Sequence, residues 1–297
     1  MSQQIPENFA HSFGNNFYEL GQQVSSRLTP TVDVISGIVG QSKSVERAGK
    51  TEAYDITTRH ATTKHVDTPH SRRWIDLQDK GWADLVDELD EQKLVADPKS
   101  KYLKFGVQAL NRAKDAIVYA ASRGTARTGT GTQPLPAAQK IAEGGTGLTL
   151  AKLLTAKEIL DAAEIGNDTD EAMMEATGQG KVWDRVCVVT SRQLTNLLGT
   201  TEIKNIDYNN VKALSDGKVD EFLGFKFIRI ENLAKSGTSR FCMAWCRQAM
   251  KLGIGRDIFT SVDVLPTMNY SWQVYSRMSL GAVRAEDEGV VEIACFE

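Results

Sequence analysis

Histidine is scarce in this chain, and its placement excludes more than its number does. The 297 residues hold four histidines, all between positions 11 and 70. None falls in the region 148–297, whose patterning reads as folded. A Ser/His or Cys/His catalytic pair would have to borrow from a polar N-terminal segment, and no Gly-x-Ser-x-Gly elbow occurs. Carboxylates number 38, too many to single out an acid–base pair. The chain reads as a non-enzyme without a cofactor.

Cysteine is scarce too: Cys187, Cys242, Cys246 and Cys295. A structural zinc site takes four ligands, usually as two close pairs. Cys242 and Cys246 make one such pair and the second is missing, so no metal is expected. All four sit in apolar runs, where buried, reduced thiols are the expectation. His60, His65 and His70 recur every five residues, a period that fits neither a helix face nor a strand face, and read as solvated surface.

Long hydrophobic runs are absent, and none approaches the roughly 20 residues of a spanning helix. The start, MSQQIPENFAHSFGNN, lacks a basic stretch followed by an apolar one, so no export signal is expected and the protein is expected to be made in a cytoplasm. An excess of positive charge is missing as well. With 35 Lys and Arg against 38 Asp and Glu the net charge is −3, which excludes a strongly basic nucleic-acid binder. The glycine-rich stretch 123–147 (RGTARTGTGTQPLPAAQKIAEGGTG) lacks the Gly-Lys-Ser/Thr of a phosphate loop and follows a helix instead of a strand, so it reads as a linker.

What is present is a mixed pattern. Residues 1–48 read as an arm with scattered apolar residues (Phe9, Phe13, Phe17, Leu20), too sparse to fold alone and expected to order on other chains. Residues 49–81, rich in Thr and His, read as a long exposed β-hairpin, with a strand over 52–58. Trp82, Leu85, Val86 and Leu89 follow helical spacing, predicting a helix over 82–94 whose other face carries Asp84, Asp87, Glu88, Asp90 and Glu91. Asp97 as cap and Pro98 at the first position open a helix over 98–122, with Tyr102, Phe105, Ala109, Ala113, Ile117 and Ala120 as its apolar stripe and Gly124 as its end. Residues 148–260 read as a compact α/β domain: a helix through Leu150, Leu153, Leu154 and Leu160, a buried strand over 182–190, a short helix SRQLTNLLG, and strands over 218–230 and 241–246. Strand patterns return at 271–283 and 290–296, and the fold class is α+β.

The block VCVVTSRQLTNLLGTTEIKNIDYNNVKALSDGKVDEFLGFKFIRIENL resembles the central block of tailed-bacteriophage major capsid proteins of the Hong Kong 97 type. The matching features are a hydrophobic strand ending in Thr190, Leu197-Leu198, Asp207-Tyr208, the turn from Leu214 to Gly217, and Gly224-Phe225. DLVDELDEQKLVADPKSKYLKFGVQALNRAKDAIVYAA resembles that family's lead into its spine helix, and SLGAVRAEDEGVVEIACFE its closing strands. The resemblance spans about residues 50–297.

The resemblance implies an N-terminal arm (1–48), an extended loop (49–81), a peripheral domain with spine helix and linker (82–147), an axial domain (148–260) and a return to the peripheral domain (261–297). It implies pentamers and hexamers of this chain closing into an icosahedral virion head, assembled in the bacterial cytoplasm around double-stranded DNA that is enclosed without sequence-specific binding. Implied partners are a separate scaffolding protein, a portal protein and a decoration or cement protein; a membrane is not among them. In that family the extended loop lies over the adjacent subunit. Arg72, Arg73 and Trp74 at the hairpin's return, and Asp84, Asp87, Glu88, Asp90 and Glu91, are accordingly the expected inter-subunit contacts. An encapsulin-type nanocompartment shell shares the fold and is the alternative; a DNA-packaging factor is the alternative of another class.

Overall fold

The computed structural model describes residues 21–59, 62–86, 99–165, 185–199 and 221–297. The described residues form two compact units, one within 1–26, 79–113 and 257–279, the other within 27–78, 114–256 and 280–297. Along the chain run β1 (Asp33–Ser36), β2 (Ser42–Ala48), β3 (His70–Asp76), β4 (Gln78–Val86), α1 (Lys99–Arg123), β5 (Ala126–Thr128), β6 (Thr132–Gln133) and β7 (Lys140–Ile141). They are followed by α2 (Leu150–Ala162), β8 (Arg185–Val189), α3 (Ser191–Gly199), β9 (Glu221–Phe222), β10 (Phe225–Arg229), β11 (Lys235–Ser236), β12 (Ser239–Cys246), β13 (Met250–Leu265), β14 (Ser271–Arg284) and β15 (Val290–Phe296). Helices and strands mix without strict alternation, so the class is α+β as the pattern predicts.

The second unit is built on a seven-stranded sheet ordered β7-β15-β12-β8-β10-β9, with β11 paired to β12. β8 is buried at every residue, as its continuous apolar run demands of a central strand. It pairs parallel with β10 and antiparallel with β12. Cys187, Cys242, Cys246 and Cys295 are free, buried thiols on or at the ends of these strands. α2 is capped by Thr149, whose side chain accepts from the Lys152 amide, and it packs against β15. Lys152 is itself buried, and its ammonium donates to the carbonyls of Glu143 (2.7 Å), Thr146 (2.7 Å), Gly147 (3.1 Å) and Ala294 (2.9 Å). Four acceptors offset the cost of removing this charge from water and fasten the loop before α2 to β15. The buried Tyr119 phenol donates to the Phe241 carbonyl (2.8 Å) and accepts from the Ala234 amide (3.1 Å). Burial pushes its pKa up to about 12.

Several elements differ from their sequence pattern. Residues 27–48, read as too sparse to fold alone, pack on the rest of the chain: Leu28, Val32 and Ile38 are buried, and β1 pairs parallel with the start of β13. Trp245 Nε1 donates to the Thr31 carbonyl (3.1 Å), and Asp115 accepts from the amides of Arg27 (3.0 Å) and Leu28 (3.1 Å). Few apolar residues suffice because a borrowed side-chain donor and a borrowed acceptor satisfy the backbone. The expected short helix within residues 1–20 lies outside the described residues. The hairpin exists, but its strands are β2 and β3, and 52–58 is irregular. Register runs from Ser42↔Asp76 to Ala48↔His70, and the Gly49 amide donates to the Pro69 carbonyl (2.7 Å) to close its stem.

The helix expected over 82–94 is a strand at its start, since Trp82 to Val86 belong to β4; residues 87–98, including the expected Asp97–Pro98 cap, lie outside the described residues. Trp82 and Val86 fit both periods, and the strand reading wins because the intervening burial alternates and Leu85 is exposed. In the same unit Gly106 of α1 is required: a Cβ there would meet the Trp82 ring at 2.7 Å and Ser276 Oγ at 2.8 Å. α1 covers the expected spine, yet Ala120 is exposed while Leu110, Ile117, Val118 and Tyr119 are buried, a wider face than a single stripe. The linker contributes β5, β6 and β7. The expected closing strand does not stand apart with β14, because β15 lies between β7 and β12 in the seven-stranded sheet. That position pairs its backbone along both edges, and α2 packs against the strand. Residues 200–220, which carry Asp207-Tyr208 and Leu214 to Gly217, lie outside the described residues.

Candidate assembly surface

β2 and β3 continue through β5 to β6 in a four-stranded sheet. Successive residues of a strand face opposite sides, so HSRRWID divides Arg72 and Trp74 from Arg73 and Ile75. The inner side carries Ile75, Ala126 and Val45 against Val283 and Ile35. The outer side carries charge and one large ring.

On the outer side Trp74 lies between two guanidiniums, Arg72 at 5.6 Å and Arg127 at 5.3 Å from the ring. Arg127 sits directly opposite Trp74 in the β3–β5 register. Each cation has an acid in addition: Arg72 Nε reaches Glu46 at 2.8 Å and Arg127 Nη1 reaches Asp76 at 2.6 Å. The strip Glu46–Arg72–Trp74–Arg127–Asp76 is thus charge-balanced and holds the indole in place. Cation–π contacts at exposed sites contribute about 0.5–1 kcal/mol each, and an exposed ion pair at most about 1 kcal/mol.

Arg73, expected beside Arg72 on the docking side, is instead buried on the inner side. Its Nη2 donates to Asp287 Oδ2 (2.6 Å), and the other Asp287 oxygen accepts from Arg284 Nε (2.6 Å). Arg284 is wholly buried and also donates to the carbonyls of Ser122 (3.0 Å), Gly124 (2.8 Å) and Gln133 (3.0 Å). It thereby ties the end of α1 to β6. Burial pulls the Arg73 guanidinium below its ordinary value; Arg47 adds to this and Asp287 opposes it. Arg47 stands on the inner side of β2, diagonal to Arg73 in the register, and is missed by a reading that looks only at Arg72-Arg73-Trp74. A groove of about 450 Å³ lies here, walled by Glu46, Arg47, His70, Ser71, Arg72 and Arg73 and by Thr128, Gly129 and Thr130.

Of the expected acidic contacts, Asp84 lies in β4 and accepts from the Leu85 amide (2.9 Å). Asp87, Glu88, Asp90 and Glu91 lie outside the described residues. Among the described residues no group of three or more His, Cys, Asp or Glu is placed to hold a metal, and no helix is long and apolar enough to cross a membrane.

Residues 5–297 match the family model described as phage capsid protein. Among solved structures the chain is similar to the capsid of cyanophage P-SCSP1u (TM-score 0.71, 15% identity, covering 99% of this chain and 95% of that one). It is similar to the cyanophage Pam1 capsid asymmetric unit (0.73, 13%, 98% and 97%) and to the capsid of Ralstonia phage GP4 (0.71, 9%, 97% and 95%). No curated protein matches by sequence.

Proposed function

Because the chain belongs to the phage capsid protein family, we propose that it is the major capsid subunit whose pentamers and hexamers close into the icosahedral head of a tailed bacteriophage. The family match over residues 5–297 carries this reading. The protein is a structural component of the virion, not an enzyme, and it associates with its own copies. Closed symmetry lets copies of one chain repeat the same few interfaces, adjusted between pentamers and hexamers, throughout a shell.

Around that centre stand the finer parts of the reading. Assembly takes place in the host cytoplasm with a scaffolding protein, and the shell joins a portal and encloses double-stranded DNA without sequence-specific contacts. The spine helix corresponds to α1, the extended loop to the hairpin of β2 and β3, and the axial domain to the seven-stranded sheet. The outer strip with Arg72 and Trp74 covers a neighbouring subunit, where Trp74 supplies a rigid apolar anchor, and the acids from Asp84 to Glu91 of that neighbour face the hairpin.

The test is expression of the chain with its scaffold, followed by electron microscopy. Closed particles of uniform diameter are expected. A chain that stays monomeric under every condition refutes the reading.

A further inference from the structure

The outer strip is neutral; the uncompensated charge of this sheet lies elsewhere. Arg73 and Arg284 are both buried and share the single carboxylate of Asp287. Two buried guanidiniums on one carboxylate leave a positive charge out of water, which is costly unless another anion approaches. Nη1 of Arg73 is closed off from water and has no hydrogen-bond partner. Arg47, diagonal to it, adds a further cation with no ion pair among the described residues. Glu46, the one acid in the groove wall, is taken by Arg72.

From this geometry we infer that the groove between Arg47, Arg73 and the Thr128–Gly129–Thr130 turn is a carboxylate socket, filled by an acidic side chain from a second copy of this chain. The inference deepens the reading of the hairpin as an inter-subunit surface and rests on it. A volume of about 450 Å³ suits one or two side chains and not a duplex, which is held by phosphate contacts repeated along a stripe. The chain also carries the complement: Asp84, Asp87, Glu88, Asp90 and Glu91 fall within eight residues that include no Lys or Arg. Arg47, not Arg72, is the cation with charge to spare for them.

The experiment titrates the unassembled full-length chain at constant ionic strength with three probes: the peptide DLVDELDE, sodium acetate and inorganic phosphate. Thermal unfolding and calorimetry are the readouts. The peptide is expected to raise the melting temperature, and Arg47→Gln to weaken its binding by about tenfold or more. Arg47→Lys, which keeps the charge, is expected to retain most of the binding, and circular dichroism checks that both variants are folded. No binding of peptide by the wild type, or equal binding by Arg47→Gln, overturns the socket. Binding of phosphate with none of peptide or acetate overturns the carboxylate assignment in favour of nucleic-acid phosphate. Peptide binding that depends on Arg47 in a chain that forms no particles leaves the socket standing and refutes the capsid reading alone.

Discussion

Arg73 and Asp287 meet at 2.6 Å across 214 positions of sequence, and both are largely shielded from water. The pair fastens β3 to the segment between β14 and β15, and Asp287 holds Arg284 at the same time.

Removing Asp287 should therefore be far more damaging than removing an outer-face acid. Asp287→Ala leaves two buried guanidiniums unpaired and is expected to cost about 3–5 kcal/mol. Asp76→Ala, which loses an exposed pair with Arg127, is expected to cost at most about 1 kcal/mol. Denaturant unfolding of the two variants checks the contrast, and equal losses would sink it.

Trp74→Ala should separate folding from assembly. Its ring is half-buried and flanked by Arg72 and Arg127 on a charge-balanced face. The subunit is expected to keep its circular dichroism spectrum while shell yield falls sharply, as for a truncated aromatic anchor. Normal particles by microscopy would remove Trp74 from the interface.

The four thiols should be inert. Cys187, Cys242, Cys246 and Cys295 are buried and free, and burial raises the Cys187 thiol well above its ordinary range. A thiol reagent is expected to modify none in native protein and all four in denaturant. Particles are expected to survive dithiothreitol, and their loss would reveal a disulfide.

Acid should release the last residue of the seven-stranded sheet's neighbourhood. Arg240 pairs with Glu297 at 2.8 and 3.0 Å, and that hydrogen-bonded pairing holds the Glu297 carboxyl below the ordinary value of about 4.3. A depressed folded-state pKa means that the unfolded chain binds the proton first. The stabilisation is present above about pH 4.3 and is lost as pH falls through the folded value. Glu297→Gln should flatten this part of the stability–pH curve, and an unchanged curve would show that the pair contributes nothing.

α1, β8, α3 and β12 were legible because their signals are local: long 3.6-residue periodicity, continuous apolar runs, a terminating glycine. The start of β4 is ambiguous in sequence because Trp82 and Val86 fit two periods at once. β2 was invisible because SKSVERA has little apolar content and becomes a strand by pairing with β3. The partner that sets Arg73 apart from Arg72, Asp287, lies too far along the chain for any local pattern. One signal was available: in HSRRWID, alternation places Arg73 on the side of Ile75, the apolar side, and apart from Arg72.

The position of β15 between β7 and β12 sets a timetable for the nascent chain. About 150 residues separate β7 from β15, and at 5–20 residues per second their synthesis takes roughly 8–30 s. Lys152, made early in that interval, waits through most of it for the Ala294 carbonyl, and β12, made only 44 residues before β15, keeps one flank unpaired for roughly 2–9 s. A sheet completed by its latest strand gives the subunit its finished shape only after the last of these residues has left the ribosome.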